Sequence, residues 1–204
     1  MSQINPALSL LKTRRSVRHF LDRAVPEDVI QRILEAATWA PSAHNRQPWR
    51  FAVLTGKEVK SRLAIAISAD FRRDLISDGI TSQEAEARGQ RSIRRIQGAP
   101  VAIVLCLDQT ELDTYPDPRR QEAERLIAVQ SAALAGGNLL LAAHAEGLGG
   151  VWVCAPLFAP ETVQHTLGLP GEWQPQALLL VGYPAKNPTQ RQRRPLEEVV
   201  RYYG

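Results

Sequence analysis

The amino-acid sequence predicts an α+β fold, and three observations support this class. Apolar runs over residues 99–107 and 176–183 are typical of buried strands, whereas residues 119–146 carry a long helical pattern. Helical and strand patterns mix irregularly, without the regular βα alternation of a doubly wound parallel sheet. At 204 residues and 44% hydrophobic content the chain can bury one sizeable core, so we expect a single domain over residues 1–204.

The first half of the chain is predicted to place helices before a loop and a strand. Residues 26–39 show the clearest helix, because Pro26 suits the first helical turn and Pro41 ends the pattern. The other elements predicted before residue 99 are a helix over 5–13, a loop over 41–49, a strand over 49–55, a helix over 57–69 and a highly charged, partly helical surface segment over 70–98.

The longest helical pattern, over 119–146, carries a broad apolar surface. One stripe consists of Ala123, Ile127, Gln130, Leu134, Gly137 and Leu141, and Leu126, Val129, Ala133 and Leu140 widen it. This breadth fits either a central buried helix or a helix shared between subunits, and Gly136 and Gly137 would permit close approach of a partner backbone. Beyond it, the sequence predicts a strand over 150–154 and a short helix over 160–168 before the second buried strand.

The sequence also predicts where the protein resides. No run of 18 apolar residues is present, which predicts no membrane span, and the N-terminus lacks the basic start and apolar core of a secretory signal. We therefore expect a cytoplasmic protein. Cys106 and Cys154 both fall in apolar runs, which favours buried thiols over a disulfide or redox pair.

Positive charge is concentrated in two distant segments, although the net charge is only +4. The first segment contains the sequence RRSVRHF at residues 14–20. If it is extended, Arg14, Ser16 and Arg18 point to one side, and two guanidinium groups with a hydroxyl suit a phosphate or another oxyanion. A solvated basic turn is the alternative.

The second basic segment contains RQRR at residues 191–194, with Arg191 and Arg193 again two residues apart. The two segments could converge on one phosphate in the folded protein. Nucleic-acid binding is the competing use of such clusters. We find no nucleic-acid-binding or zinc-finger signature, and the aromatic residues are not interleaved with the charges.

Other site motifs are absent from the sequence. The four histidines are far apart and lack metal-site spacing, so we predict no metal. There is no Walker A sequence, no GxGxxG and no GxSxG nucleophile elbow. The glycine cluster over residues 147–150 fits a helix-to-strand turn, with close approach to a ligand as the alternative.

Four motifs in order resemble the FMN-dependent nitroreductase family over residues 10–201. They are RRSVRHF, APSAHNRQPWRF, EGLGGVWV, and VGYPA followed by RQRRPLEEVV. The resemblance implies a three-layer fold with a central, mostly antiparallel sheet flanked by helices. It also implies a homodimer with shared FMN sites, in which a C-terminal extension reaches the partner subunit. NAD(P)H would reduce FMN and leave before a small-molecule electron acceptor binds.

The same resemblance assigns roles to individual residues. Arg14 and Ser16 would hold the FMN phosphate region, Arg15 and Val17 would also contact the cofactor, and Arg18 would approach the pyrimidine edge of the flavin. Arg191 and Arg193 would complete the phosphate site. The partner chain would supply Pro41, Ser42, Ala43 and Asn45, while the main chain of Val151, Trp152 and Val153 would lie near flavin N5 and O4. Some relatives carry a proline and an acidic residue where Trp152 and Cys154 stand, which weakens the functional match to those enzymes.

No catalytic side chain is expected, because the flavin carries the hydride chemistry. The arginine-rich part of the segment 70–98 is either a solvated helix face or a site for an acidic substrate tail. Arg91 and Arg94 are candidates for such a pocket, together with His44 and Arg46 beside the loop expected to contact the flavin.

Two stretches, residues 115–125 and 150–184, resemble most closely the flavin domain of FbiB, a bifunctional enzyme of coenzyme F-420 biosynthesis. This resemblance implies a dehydro precursor of coenzyme F-420 as acceptor. A flavin-fragmenting enzyme of the same superfamily and a non-enzymatic flavin-binding protein are the alternatives.

Overall fold

The computed structural model describes residues 5–186 and 188–204. Its helices are α1 (Pro6–Thr13), α2 (Glu27–Thr38), α3 (Lys57–Ser77), α4 (Ser82–Gln97), α5 (Pro118–Ala145), α6 (Ala155–Phe158), α7 (Pro160–Leu167) and α8 (Leu196–Val199). Its strands are β1 (Trp49–Leu54), β2 (Val101–Asp108), β3 (Gly149–Val153) and β4 (Trp173–Gly182). Short 3₁₀ turns occupy Ala43–Asn45 and Gln109–Glu111.

The four strands form one antiparallel sheet in the order β1-β2-β4-β3. The side chains of β2 are buried along its whole length, as its apolar run predicts. At the β3 edge the chain after α1 adds a short parallel contact, in which Ser16 bridges to Gly150. The structure therefore confirms the α+β class and the antiparallel sheet.

The sheet lies between two helical layers, which gives the three layers that the family resemblance implies. On one side, α2 and α5 pack on the sheet through residues such as Ile33, Ala135 and Leu139. On the other side, α3, α7 and the end of α4 pack through residues such as Leu63 and Val163. Because the sheet is covered on both faces, ligands must approach it at an edge.

The structure shows which side of α5 is buried against the sheet, a question that the sequence left open. The buried residues of this helix are mostly small and include Ala128, Ala132, Ala135, Leu139 and Ala143. The predicted stripe through Ile127, Leu134 and Leu141 is turned away from the sheet, and Leu134 is 50% exposed. Small side chains allow the helix axis to approach the sheet, which leaves the larger ones outside. Although α5 is long and apolar enough to cross a bilayer, its inner face lies in the core of the fold.

Gly136 packs against its own chain, because a Cβ there would lie 2.4 Å from the Trp152 ring. Gly137 has no atom within 4 Å of its Cβ position, so only this second glycine leaves room for a partner. In the later glycine cluster, Gly147 has φ +75° and forms the predicted turn. The Gly149 Cβ position lies 2.5 Å from Val17, so that glycine makes room for the segment after α1.

Two predictions need correction. The helix predicted over 57–69 continues to Ser77, and most of the remaining charged segment forms α4. Charged residues such as Asp70 and Asp74 interrupt the apolar pattern of this segment, so the sequence did not indicate the helical residues that pack on the core, including the buried Leu75. Cys106 is buried as predicted, but Cys154 is exposed, because it follows the last residue of β3; both thiols are free.

Candidate cofactor site

A basic cleft of about 610 Å³ lies where the two basic segments meet. We call it the cofactor cleft. Its lining residues are Arg14, Arg15, Ser16, Val17, Arg18, His19, Lys186, Pro188, Thr189, Arg191 and Arg193. No carboxylate is among them, so the lining is cationic and rich in hydrogen-bond donors. The fold thus brings together the two arginine segments, which are about 170 residues apart in sequence.

The segment that carries Arg14, Ser16 and Arg18 is held by the residue between the last two. The Val17 side chain is buried against Gly149, and its backbone N–H donates to Gly150 O at 3.0 Å. Further along, the Leu21 N–H donates to Tyr183 O at 2.9 Å. With the backbone fixed on both sides, the neighbouring polar side chains are directed towards the cleft.

The arginines of the cleft differ in what they contact. The Arg15 guanidinium donates to the carbonyls of Lys12 and Arg14 at 2.6 and 2.8 Å, which satisfies groups at the end of α1. Within the described part of the chain, Arg14, Arg18, Arg191 and Arg193 form no ion pair with a carboxylate. An oxyanion in the cleft would therefore have guanidinium groups available to bind it.

The pKa of His144, near the end of α5, depends on the charge of this cleft. Its Nε2 lies 2.9 Å from Thr13 Oγ1, beside Arg14. Burial lowers the pKa of His144, and the positive charges of Arg14 and Arg15 lower it further. This histidine is thus held towards its neutral form by the cations that a bound phosphate would neutralise.

The edge of β3 next to the cofactor cleft offers a backbone donor. The Gly150 carbonyl points away from β4, because it accepts the bond from Val17. Backbone groups alternate sides along a strand, so the N–H of Trp152 also points to this outer edge. The backbone N–H groups of Val151 and Val153 point towards β4. The Trp152 ring packs on α5 at Gly136.

The loop over residues 41–48 adopts an unusual backbone. His44, Asn45 and Gln47 have φ values of 51°, 54° and 52°, in the left-handed region that non-glycine residues rarely occupy. Two serines support the loop: Ser42 Oγ accepts from Gln47 N at 3.0 Å, and Ser131 Oγ accepts from Ala43 N at 3.2 Å. Such concentrated strain is typical of functional loops.

Within one chain, this loop does not reach the cofactor cleft. It contacts α5 at Ser131, whereas His144 beside the cleft lies 13 residues further along the helix. At 1.5 Å per residue the separation is about 20 Å. Arg46 is paired with Asp113, away from the cleft. The predicted residues Pro41, Ser42, Ala43, Asn45, His44 and Arg46 therefore belong to a surface distinct from that of Arg14.

A second basic cleft of about 430 Å³, the arginine cleft, adjoins the first. It is lined by Arg18, His19, Phe20, Arg91, Arg94, Arg95 and Gly98. The predicted pair Arg91 and Arg94 thus lies beside Arg18. Sequence reasoning did not single out Lys186, Thr189 or Arg95 as site residues; Lys186 and Arg95 were visible only as members of basic runs.

The chain is an α+β protein with a basic cleft at the edge of an antiparallel sheet that helices cover on both faces. A match to the nitroreductase family model over residues 11–183 then identifies the chain, which belongs to the nitroreductase family.

Relatives of known structure or assigned activity support this membership. A Methanothermobacter thermautotrophicus protein, assigned as an NADH dehydrogenase or NAD(P)H nitroreductase, is 33% identical over 90% of this chain and 80% of its own. The 5,6-dimethylbenzimidazole synthase of Rhodospirillum rubrum is 31% identical over 95% of this chain and 86% of its own. A Desulfovibrio desulfuricans nitroreductase structure in complex with FMN superposes with a TM-score of 0.75 at 30% identity, covering 99% of both chains.

Proposed function

We propose that this chain is an FMN-dependent NAD(P)H oxidoreductase. The observation that carries the proposal is the cofactor cleft, in which five arginines from opposite ends of the chain line one space without a carboxylate, beside the outer edge of β3. The FMN-bound and NAD(P)H-dependent relatives support the same cofactors. When bound, FMN supplies the hydride chemistry, so no nucleophilic side chain is needed.

The residues of this chain would bind and orient the cofactor. Arg14 and Ser16 would hold the FMN phosphate from one side, and Arg191 and Arg193 from the other. Arg18 would place a permanent positive charge near the pyrimidine edge, which favours the anionic reduced flavin. The outward N–H of Trp152 would donate a hydrogen bond near flavin N5 and O4.

The proposed active form is a homodimer with shared sites. The outer stripe of α5 is largely apolar and is exposed or half-buried within the chain; it consists of Ala123, Leu126, Ile127, Gln130, Ala133, Leu134, Gly137 and Leu141. A two-fold contact along this stripe would bring the 41–48 loop of one subunit towards the cofactor cleft of the other. Exposed apolar residues of the tail, such as Leu196, Tyr202 and Tyr203, would extend over the partner.

The acceptor is proposed as a small molecule that follows NAD(P)H at the same flavin face. The resemblance of residues 115–125 and 150–184 to the FbiB flavin domain makes a dehydro precursor of coenzyme F-420 one acceptor to test. A cytoplasmic location, where NAD(P)H is available, fits this activity.

A second candidate function is fragmentation of reduced FMN by oxygen. It is supported by the 31% identity to the 5,6-dimethylbenzimidazole synthase. Product analysis after reduced FMN meets oxygen on the protein separates the two functions. Recovery of intact FMN supports the oxidoreductase, whereas a dimethylbenzimidazole product supports fragmentation.

The primary test is spectroscopic. Protein reconstituted with FMN should show a bound-flavin spectrum that bleaches anaerobically when NADH or NADPH is added. A protein that does not retain FMN, or whose bound FMN stays oxidised with both nucleotides, would refute the proposal.

A further inference from the structure

The arginine cleft carries charge that the cofactor cleft does not require. Four guanidinium groups and one imidazole surround it, and its other lining residues, Phe20 and Gly98, carry no charge. It shares Arg18 and His19 with the cofactor cleft, so the two clefts adjoin at the residue proposed to face the flavin ring.

The two halves of α4 differ in how their charges are compensated. In the first half, Arg88 pairs with Glu84, and Glu86 pairs with Arg72 of α3. In the second half, Arg91, Arg94 and Arg95 form no ion pair with any carboxylate of residues 5–186 and 188–204. Direct ion pairs on α4 thus end at the turn where the helix reaches the arginine cleft. Arg91 and Arg95 also line a separate cleft of about 500 Å³ that contains Asp70, Asp74 and Asp78.

Helical spacing explains why these side chains converge. Arg91 and Arg94 are three residues apart, and Arg91 and Arg95 are four apart, so all three lie on one face of α4. This face meets Arg18 from the segment after α1. The negative end of the helix dipole stabilises Arg94 and Arg95 in the last turn, but it does not account for Arg18 on a separate segment.

Like charges gathered around one cleft repel each other unless an anion binds among them. We propose that the arginine cleft binds an oxyanion, a phosphate or carboxylate group, of a molecule that reacts at the flavin. The cleft would thereby favour anionic reactants over neutral ones. This inference rests on the proposed function, because the cleft reaches the reaction only through Arg18.

Two reactants could carry the oxyanion, and the test treats them separately. The double variant Arg91→Gln/Arg94→Gln, reconstituted with FMN, is compared with the unchanged protein in rapid anaerobic mixing. The first arm measures flavin reduction by NADPH and by NADH. The second arm measures reoxidation of reduced flavin by 4-nitrobenzoate and by 4-nitrobenzamide, which differ mainly in charge.

The expected result is a loss of about tenfold in the second-order rate constant for an anionic reactant, since each exposed arginine contributes about threefold. A loss confined to NADPH, or shared by both nucleotides, assigns the oxyanion to the donor. A loss for 4-nitrobenzoate but not for 4-nitrobenzamide assigns it to the acceptor. Unchanged rates in both arms, or equal losses that include the neutral amide, would overturn the inference.

The matched control is Arg62→Gln, which removes an exposed arginine of α3 outside the described clefts. It should leave all four rates within twofold. If the double variant retains less FMN, Arg95→Gln alone provides a milder test in the same assay. If the unchanged protein binds FMN but neither nucleotide reduces it, the proposed function fails, and this outcome is distinct from an unchanged double variant.

Discussion

Arg14 and Arg18 of RRSVR, four residues apart, are proposed to contact different ends of one ligand. The Val17 side chain between them is buried in the core, so the two arginines extend from either end of a short anchored segment. Arg14 lines only the cofactor cleft, whereas Arg18 also lines the arginine cleft. The proposed division of labour, phosphate binding by Arg14 and flavin tuning by Arg18, follows from this placement.

Arg18→Ala should lower the two-electron potential of bound FMN by roughly 30 mV, the equivalent of about 1.4 kcal/mol, because the reduced anion loses a nearby cation. Potentials are measured by equilibration with a redox dye, and FMN affinity by fluorescence titration. Arg14→Ala is the control: it should weaken FMN binding without moving the potential. Loss of FMN from Arg18→Ala with an unchanged potential in the retained fraction contradicts the assignment.

His144 provides a residue-level test of charge in the cofactor cleft. Burial and the charges of Arg14 and Arg15 lower its pKa, so in the folded protein it binds a proton less readily than in the unfolded chain. The folded state therefore loses stability as the pH falls below about 6.5, where the unfolded histidine is already protonated.

Binding of FMN should raise the pKa of His144, since the phosphate offsets the charges of Arg14 and Arg15. Proton NMR titration of the imidazole with and without FMN measures this change. His165, on α7 and outside the two described clefts, provides the reference imidazole signal in the same spectra. A His144 titration curve that does not move would show that the phosphate binds elsewhere.

At the scale of single elements, the sequence predicted helices and strands correctly where a single hydrophobic pattern dominated the segment. The buried strand β2 and the helix α2 follow directly from an apolar run and a strong helical period. Beyond Arg125 the helix α5 has apolar residues on all sides, so its sequence could not show which side meets the sheet. The side of α5 that meets the sheet is set by packing, because Gly136 lies against the Trp152 ring of β3.

Substitutions at Gly136 and Gly137 test which side of α5 packs on the sheet. Gly136→Ala should destabilise the protein by about 1–3 kcal/mol, because its Cβ would displace the Trp152 ring and Leu105. The Cβ of Gly137→Ala has no atom of its own chain within 4 Å, so in dilute, dissociated subunits it should leave stability unchanged or slightly increased through helix propensity. Urea denaturation of both variants gives the comparison, and equal costs would contradict the packing described for α5.

At the scale of the whole molecule, residue spacing indicated the two basic segments, and only the family resemblance implied that they meet at one phosphate. Only the fold brings Arg14 and Arg191 into one cleft, since sequence spacing cannot report contacts between opposite ends of a chain. The same holds for the loop at residues 41–48, which lies about 20 Å along α5 from that cleft. A complete site therefore requires a second subunit in the proposed function.

Leu134→Asp places a charge in the outer stripe of α5 and should weaken the proposed dimer on the order of 30-fold or more. Analytical ultracentrifugation measures the association, and flavin absorbance measures FMN retention, which should fall in parallel. Ile65→Lys is the control, because Ile65 is equally exposed but lies on α3. A Leu134→Asp protein that remains a dimer with full FMN content would exclude this stripe as the interface.

The two cysteines give the protein a built-in labelling position. Burial raises the pKa of Cys106 to about 12, so this thiol resists alkylation at neutral pH, while Cys154 is exposed. A thiol-reactive dye would therefore attach at a single position, two residues beyond Trp152 and close to where the isoalloxazine is proposed to lie. Energy transfer from such a dye to the flavin would report cofactor arrival in real time, without altering a residue of the chain.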